Sequence, residues 1–211
     1  MNSSWTDTGD TRTRIKICGL RDIKMAEVAI EAGADAVGFV LAQDSPRTVT
    51  VEDALSMSCD LPPTVTAIGV VVDDDPALLA KWSPRWIQFH GNEKEDAVAE
   101  YEGPVIRAFS FSIEAITRWD SCRHVDRLLV DAASPGSGTT FDHATLESLR
   151  VMPTTPLLVA GGLDASNVGS IITQLEPWGV DVSSGVESSP GVKDPGLIHA
   201  FCEAVKDASS P

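Results

Sequence analysis

A thiol and a carboxylate each close a short apolar run in this chain. Cys18 ends Lys16-Ile17-Cys18 before Gly19, and Asp131 ends Leu128-Leu129-Val130. A thiolate can accept a proton and a carboxyl kept protonated can donate one, so the two residues have the chemistry of a general base and a general acid. Two other runs end in groups suited to an anion. Leu157–Ala160 passes into Gly161-Gly162-Leu163, and Val180–Ser183 passes into Ser184-Gly185. Backbone amides exposed in such turns cradle phosphate. Arg47 in a loop and His90 after Trp86–Phe89 add groups that could reach a polar substrate. Each residue alone also has a plain structural reading. A cysteine ending a buried strand can be a small hydrophobe, a carboxylate can cap a turn, and a lone histidine can hold a structural hydrogen bond. The glycine clusters say more together than apart, because they follow two consecutive runs.

These groups must be carried to one face by the elements behind them. Eight β-rich apolar runs recur: Ile15–Cys18, Ala36–Leu41, Ala67–Val72, Trp86–Phe89, Val105–Phe109, Leu128–Asp131, Leu157–Ala160 and Val180–Ser183. They are almost continuously apolar, as parallel strands covered on both faces are. Helix-like stretches separate them: Asp22–Ala32, Val51–Cys59, Pro76–Trp82, Glu93–Tyr101, Ser112–Cys122, Asp142–Leu149, Asp164–Gln174 and Asp194–Asp207. Several open on a capping residue, and Gly33 follows the first. Eightfold β-α alternation predicts an α/β fold, a single (β/α)8 TIM barrel over residues 14–207, with a flexible polar extension over 1–13. A doubly wound open sheet is the alternative, but Cys18-Gly19-Leu20-Arg21 is a poor match to its glycine fingerprint. In a barrel the ends of all eight runs share one mouth.

Composition narrows the partners. The chain has 211 residues, with 31 acidic against 16 basic, for a formal net charge of −15. Such a surface repels nucleic acid and anionic membrane, so neither is expected as a partner. No apolar run approaches the roughly 18 residues of a membrane span, and the Ser/Thr/Asp-rich start does not read as a secretory signal. Cys18, Cys59, Cys122 and Cys202 are far apart and form no CxxC pair; they fit reduced thiols in a cytoplasmic protein, without a metal site or disulfide framework. The acidity fits either a halophilic protein, whose self-repulsion concentrated salt would screen, or an ordinary acidic enzyme. The residues by themselves describe an enzyme acting on a small phosphorylated substrate by proton transfer.

Taken in order, Lys16-Ile17-Cys18-Gly19-Leu20, Asp35–Val40, Ser45-Pro46-Arg47, Ile87-Gln88-Phe89-His90-Gly91, Leu129-Val130-Asp131, Gly138–Asp142, Ala160–Leu163, Gly179–Glu187 and Pro190–Asp194 resemble the phosphoribosylanthranilate isomerase family of tryptophan biosynthesis. The resemblance spans Arg14 to about Val205. It implies an Amadori rearrangement of N-(5-phosphoribosyl)anthranilate, an aldose-ketose isomerisation without cofactor or metal. Cys18 then matches the general base and Asp131 the general acid, the latter expected in a shielded site that keeps it protonated. Arg47 matches the arginine that holds the anthranilate carboxylate, and His90 belongs to a substrate-binding motif. Gly161, Gly162, Ser183, Ser184 and Gly185 would hold the phosphate. A monomer or a homodimer is compatible with the resemblance. This chain departs from the family in a short loop after Asp131, in Thr139 where lysine is common, and in His143 where tryptophan is usual. Two rivals to the assignment are another phosphosugar barrel enzyme and a non-catalytic phosphate-binding barrel.

Overall fold

Buried parallel strands need apolar residues on both faces, and the eight apolar runs meet that need. The computed structural model describes Trp5 and residues 11–73, 76–131 and 153–209. Its strands are β1 (Arg14–Cys18), β2 (Ala36–Val40), β3 (Thr66–Val71), β4 (Trp86–Phe89), β5 (Val105–Ser110), β6 (Arg127–Asp131), β7 (Leu157–Ala160) and β8 (Gly179–Val182). They form a closed parallel barrel in chain order, with β8 returning to β1 through the pairs Arg14↔Gly179 to Ile17↔Val182. This is the expected (β/α)8 barrel; an open sheet would leave two edges.

Side chains alternate across each strand and so build two cores. Ile15, Ile17, Val37, Phe39, Ile87, Leu128 and Val159 face outward, where they pack with helical residues such as Ala26, Ile171 and Phe201. Ala36, Ile68, Ile106, Leu129 and Leu158, from β2, β3, β5, β6 and β7, meet inside the barrel. Phe39 is fully buried in the outer layer, and Phe39→Ala there should cost about 3–5 kcal/mol.

The described helices are α1 (Ile23–Ala32), α2 (Val51–Cys59), α3 (Pro76–Trp82), α4 (Glu95–Ala99), α5 (Ile113–Asp120), α6 (Val168–Leu175) and α7 (Pro195–Ser209). Their starts are set by side-chain caps. Asp22 accepts from the Met25 amide, Thr50 from Asp53 and Ser112 from Ala115. Gly33 ends α1 at φ +107°, a conformation that a residue with a Cβ rarely adopts. One boundary differs from expectation. Asp164 resembles a cap, yet the helix begins at Val168, because the Asn167 side chain is spent on the turn, accepting from the Asp164 amide and donating to the Gly162 carbonyl. The helix expected over Asp142–Leu149, the Gly138–Asp142 motif, Thr139 and His143 lie outside the described residues. After β8 come a single 3-10 turn (Ser184–Val186) and a small antiparallel ribbon, β9 (Glu187–Ser189) with β10 (Val192–Lys193). The ribbon's strands are too short to show a hydrophobic period.

Within the stretch expected to be a polar extension, Trp5 is 0% exposed. Its indole joins the interior cluster at the N-terminal end of the barrel and meets Trp178 edge-on at 4.8 Å and Trp86 at 6.3 Å. The guanidinium of Arg127 lies over the Trp178 ring at 4.6 Å, and that of Arg14 at 5.2 Å.

Candidate active site

Eight of the residues singled out in the sequence line one cavity of about 360 Å³ at the C-terminal mouth of the barrel: Cys18, Arg47, His90, Asp131, Gly161, Gly162, Ser183 and Ser184. Cys18 is at the end of β1 and Asp131 at the end of β6, three strands away around the closed sheet. They therefore face the cavity from different sides. Gly185 does not line the wall. It stands behind it, where an added Cβ would run into the Leu163 carbonyl, so glycine there lets the turns after β7 and β8 touch.

Gly161 and Gly162 both have positive φ, +93° and +64°, which turns the chain back across the cavity. The Asn167 contact with the Gly162 carbonyl fixes that turn. On the other side, the Lys193 ammonium donates to the Ser183 carbonyl at 2.9 Å and approaches its hydroxyl at 3.3 Å. Amides after two strands plus a nearby cation make a site for a small dianion.

Around Cys18 the walls are partly charged. Lys16, two residues earlier on β1, is buried inside the barrel and donates to Asp181 Oδ1 of β8 at 2.8 Å. Burial pulls the Lys16 ammonium down, but the charge and hydrogen bond of Asp181, with Cys18, more than restore it. Burial holds the Cys18 thiol above its ordinary value; Lys16 and Lys193 oppose that push without cancelling it, and Asp181 adds to it.

Arg47 reaches the mouth from the loop after β2. Its Nε and Nη2 donate to the two carboxylate oxygens of Glu187, each at 2.7 Å. Glu187 also accepts from Lys193 at 2.7 Å and from the Gly191 amide at 3.2 Å. Burial would raise its carboxyl, but these partners outweigh that and hold it at about 2. Gly19, at φ +78°, leaves room for the Arg47 stem, since a Cβ there would lie 2.5 Å from Arg47 Cδ.

The last corner is made by β4 and β6. His90 Nε2 is 3.6 Å from Asp131 Oδ2, and its Nδ1 is 3.1 Å from Gln88 Nε2. Gln88 is 1% exposed, and its Oε1 has no hydrogen-bond partner among the described residues although it borders the cavity. The loop carrying His90 is pinned from outside by Arg107, which donates to the Phe89 and Gly91 carbonyls, each at 2.8 Å.

Lys16, Gln88, Asp181, Glu187 and Lys193 were not singled out as working residues in the sequence. The signal was there for three of them: a polar residue inside an otherwise apolar strand, as in Lys16-Ile17-Cys18, Trp86-Ile87-Gln88-Phe89 and Val180-Asp181-Val182. No group of three or more His, Cys, Asp or Glu suited to a metal ion occurs among the described residues.

The chain matches the family model described as N-(5'-phosphoribosyl)anthranilate isomerase over residues 15–204. An N-(5'-phosphoribosyl)anthranilate isomerase from Methylibium petroleiphilum is 39% identical, the match covering 94% of this chain and 96% of that protein. One from Geobacter sulfurreducens is 38% identical over 92% and 98% respectively. The solved phosphoribosyl anthranilate isomerase from Thermotoga maritima superimposes with a TM-score of 0.83 at 36% identity, covering 92% of this chain and 99% of that one. A second solved phosphoribosyl anthranilate isomerase, in complex with reduced 1-(o-carboxyphenylamino)-1-deoxyribulose 5-phosphate, has a TM-score of 0.80 at 35% identity, covering the same shares.

Proposed function

The chain belongs to the N-(5'-phosphoribosyl)anthranilate isomerase family, and from that premise we propose that it is the isomerase of tryptophan biosynthesis that converts N-(5-phosphoribosyl)anthranilate to 1-(2-carboxyphenylamino)-1-deoxyribulose 5-phosphate. The observation that carries this reading is the meeting of Cys18, Asp131 and the glycine turns after β7 and β8 in one cavity. Nothing in the barrel's packing requires a thiol, a carboxylate and two amide-rich turns to converge.

Asp131, as the acid, gives a proton to the furanose ring oxygen. The C1–O bond breaks, the nitrogen lone pair closes a C1=N bond, and an iminium results. Cys18, as the thiolate, then removes the proton on C2. The C–H electrons become a C1=C2 bond, and the iminium π pair returns to nitrogen as an enolamine. Tautomerisation to the C2 ketone needs only proton movements, so no cofactor is called for. The phosphate sits on the amides at Gly161, Gly162, Ser183 and Ser184, with Gly185 holding the turn that offers them. The Arg47 guanidinium meets the anthranilate carboxylate with the side that Glu187 does not occupy. His90 lies where it can contact the sugar beside Asp131. The Gln88 Oε1 acceptor is matched to a substrate hydroxyl.

The partner is thus a small phosphorylated substrate, and the acidic surface argues against nucleic acid and anionic membrane. Among the described residues no helix is long and apolar enough to cross a membrane. Four cysteines without a disulfide fit a reducing cytoplasm, with the chain acting as a monomer or homodimer. The direct test follows the anthranilate fluorescence of the substrate with purified protein. Its loss at a rate proportional to enzyme supports the assignment. Phosphate-competitive binding without turnover would make this a binding barrel instead.

A further inference from the structure

We propose that Lys16 is a positioning residue for the isomerisation: its buried ammonium, braced by Asp181, is the counter-charge that lets Cys18 exist as a thiolate and take the C2 proton. The inference rests on the reading of Cys18 as the base. Lys16 itself does not contact the reacting atoms and acts through Cys18.

The geometry leads there in three steps. Residues two apart on a strand share a face, so Lys16 and Cys18 both project into the barrel, with Lys16 one layer further from the mouth. Lys16 is 0% exposed, and its Nζ is held at 2.8 Å by Asp181, its register partner on β8. The pair is not needed to join the two strands, because β1 and β8 are already paired along their length. An ion pair buried without a task is weak support for stability, since apolar residues of similar volume often serve as well. Beneath a thiol that has to ionise in a desolvated wall, a fixed positive charge has a task.

The charges around Cys18 support the same view. Facing it are Lys16 from β1, Asp181 from β8, Lys193 from β10 and Arg47 from the loop after β2. Glu187 of β9 is the shared partner of Arg47 and Lys193. Three cations and two carboxylates leave one positive charge in excess, which works against the burial that holds the thiol above its ordinary value. When Cys18 takes the C2 proton it becomes neutral, the C–H electron pair stays with the substrate as the C1=C2 bond, and Lys16 remains an ammonium throughout.

The test is the pH dependence of Cys18 alkylation by iodoacetamide in the absence of substrate, read on the Cys18 peptide by mass spectrometry so that Cys59 and Cys122 do not interfere. In Lys16→Met the midpoint should rise by about one pH unit or more, and the acid limb of kcat/KM should move with it. Lys16→Arg should stay near wild type. Asp181→Asn keeps an acceptor for Lys16 but removes the opposing charge, so its midpoint should fall. A folded Lys16→Met variant with an unmoved midpoint overturns the proposal. If Lys16→Met does not fold, an Asp181→Asn midpoint at or above wild type overturns it instead. Failure of the underlying base assignment would show separately, as full turnover in Cys18→Ala, whatever the alkylation midpoints do.

Discussion

His90 Nε2 faces Asp131 Oδ2 at 3.6 Å, and the relation is directional. Gln88 Nε2 donates to the other ring nitrogen, Nδ1, at 3.1 Å, which places the proton of the neutral ring on Nε2, toward the carboxyl. The acid proposed to open the sugar ring thus stands beside a histidine whose other ring nitrogen is engaged by a buried amide. Asp131→Asn and Cys18→Ala should each lower kcat by roughly 10²–10⁴ with the fold intact. His90→Ala should cost less, up to roughly 10², because it misplaces the acid without removing it. Cys59 is exposed and away from the mouth, so Cys59→Ser should turn over normally. Equal losses in all four variants, measured by substrate fluorescence, would point to a common folding defect.

Arg47→Ala should act mainly on KM. As the proposed clamp for the anthranilate carboxylate, Arg47 holds ground state and transition state alike, since the reacting carbons lie elsewhere. Glu187→Gln should loosen the same clamp, because Glu187 binds both Nε and Nη2 of the guanidinium. Steady-state kinetics of the two variants should show KM raised in both and kcat changed little.

Glu187 also ties stability to acid. Its carboxyl is held at about 2, below the ordinary value of 4.5, by Arg47, Lys193 and the Gly191 amide. A carboxyl depressed on folding contributes stability that is complete above the unfolded value and is lost as pH falls through the folded one. Between about pH 4.5 and 2 the wild-type protein should therefore lose stability faster than Glu187→Gln, whose neutral side chain has nothing to protonate. Chemical denaturation at pH 6, 4 and 3 would read the difference; parallel pH curves for the two proteins would refute it.

Salt should stabilise the whole molecule. The formal charge is −15, and exposed ion pairs such as Lys81 with Glu52 and Arg118 with Glu95 engage only some of the carboxylates. The Debye length falls from about 10 Å at 0.1 M to about 3 Å at 1 M salt, which removes repulsion between neighbouring surface charges. Melting temperature is expected to rise between those conditions with sodium or potassium chloride. A flat response would leave the acidity as a bias of composition without a stabilising role.

The barrel was readable because a strand sheathed on both faces has to be apolar throughout, so Leu128–Asp131 and Leu157–Ala160 stand out before any topology is known. The residues proposed as acid and base, and the glycine turns that share their cavity, stood out because they interrupt those runs at one end. Lys16 and Asp181 were harder. A single charge in an apolar strand does not show which face it takes, and the two lie 165 residues apart until the barrel closes. Glu187 and Lys193 lie on strands of three and two residues, below any periodic signal. Trp5 was hidden by its Ser/Thr/Asp-rich neighbours, whose polarity says nothing of one indole.

That indole closes the lower end of a barrel whose interior is already packed behind the mouth. With Trp5 wedged among Ile68, Ile106, Leu129 and Leu158, the interior is stoppered at the end away from the mouth. In the proposed mechanism a substrate seated across the mouth corks the other end, and the hydrogen lifted from C2 rests on the thiol with little bulk water to trade places with. The same thiol can hand it on to C1 as the ketone forms. Under that mechanism, deuterium placed at C2 should turn up in part at C1 of product made in ordinary water.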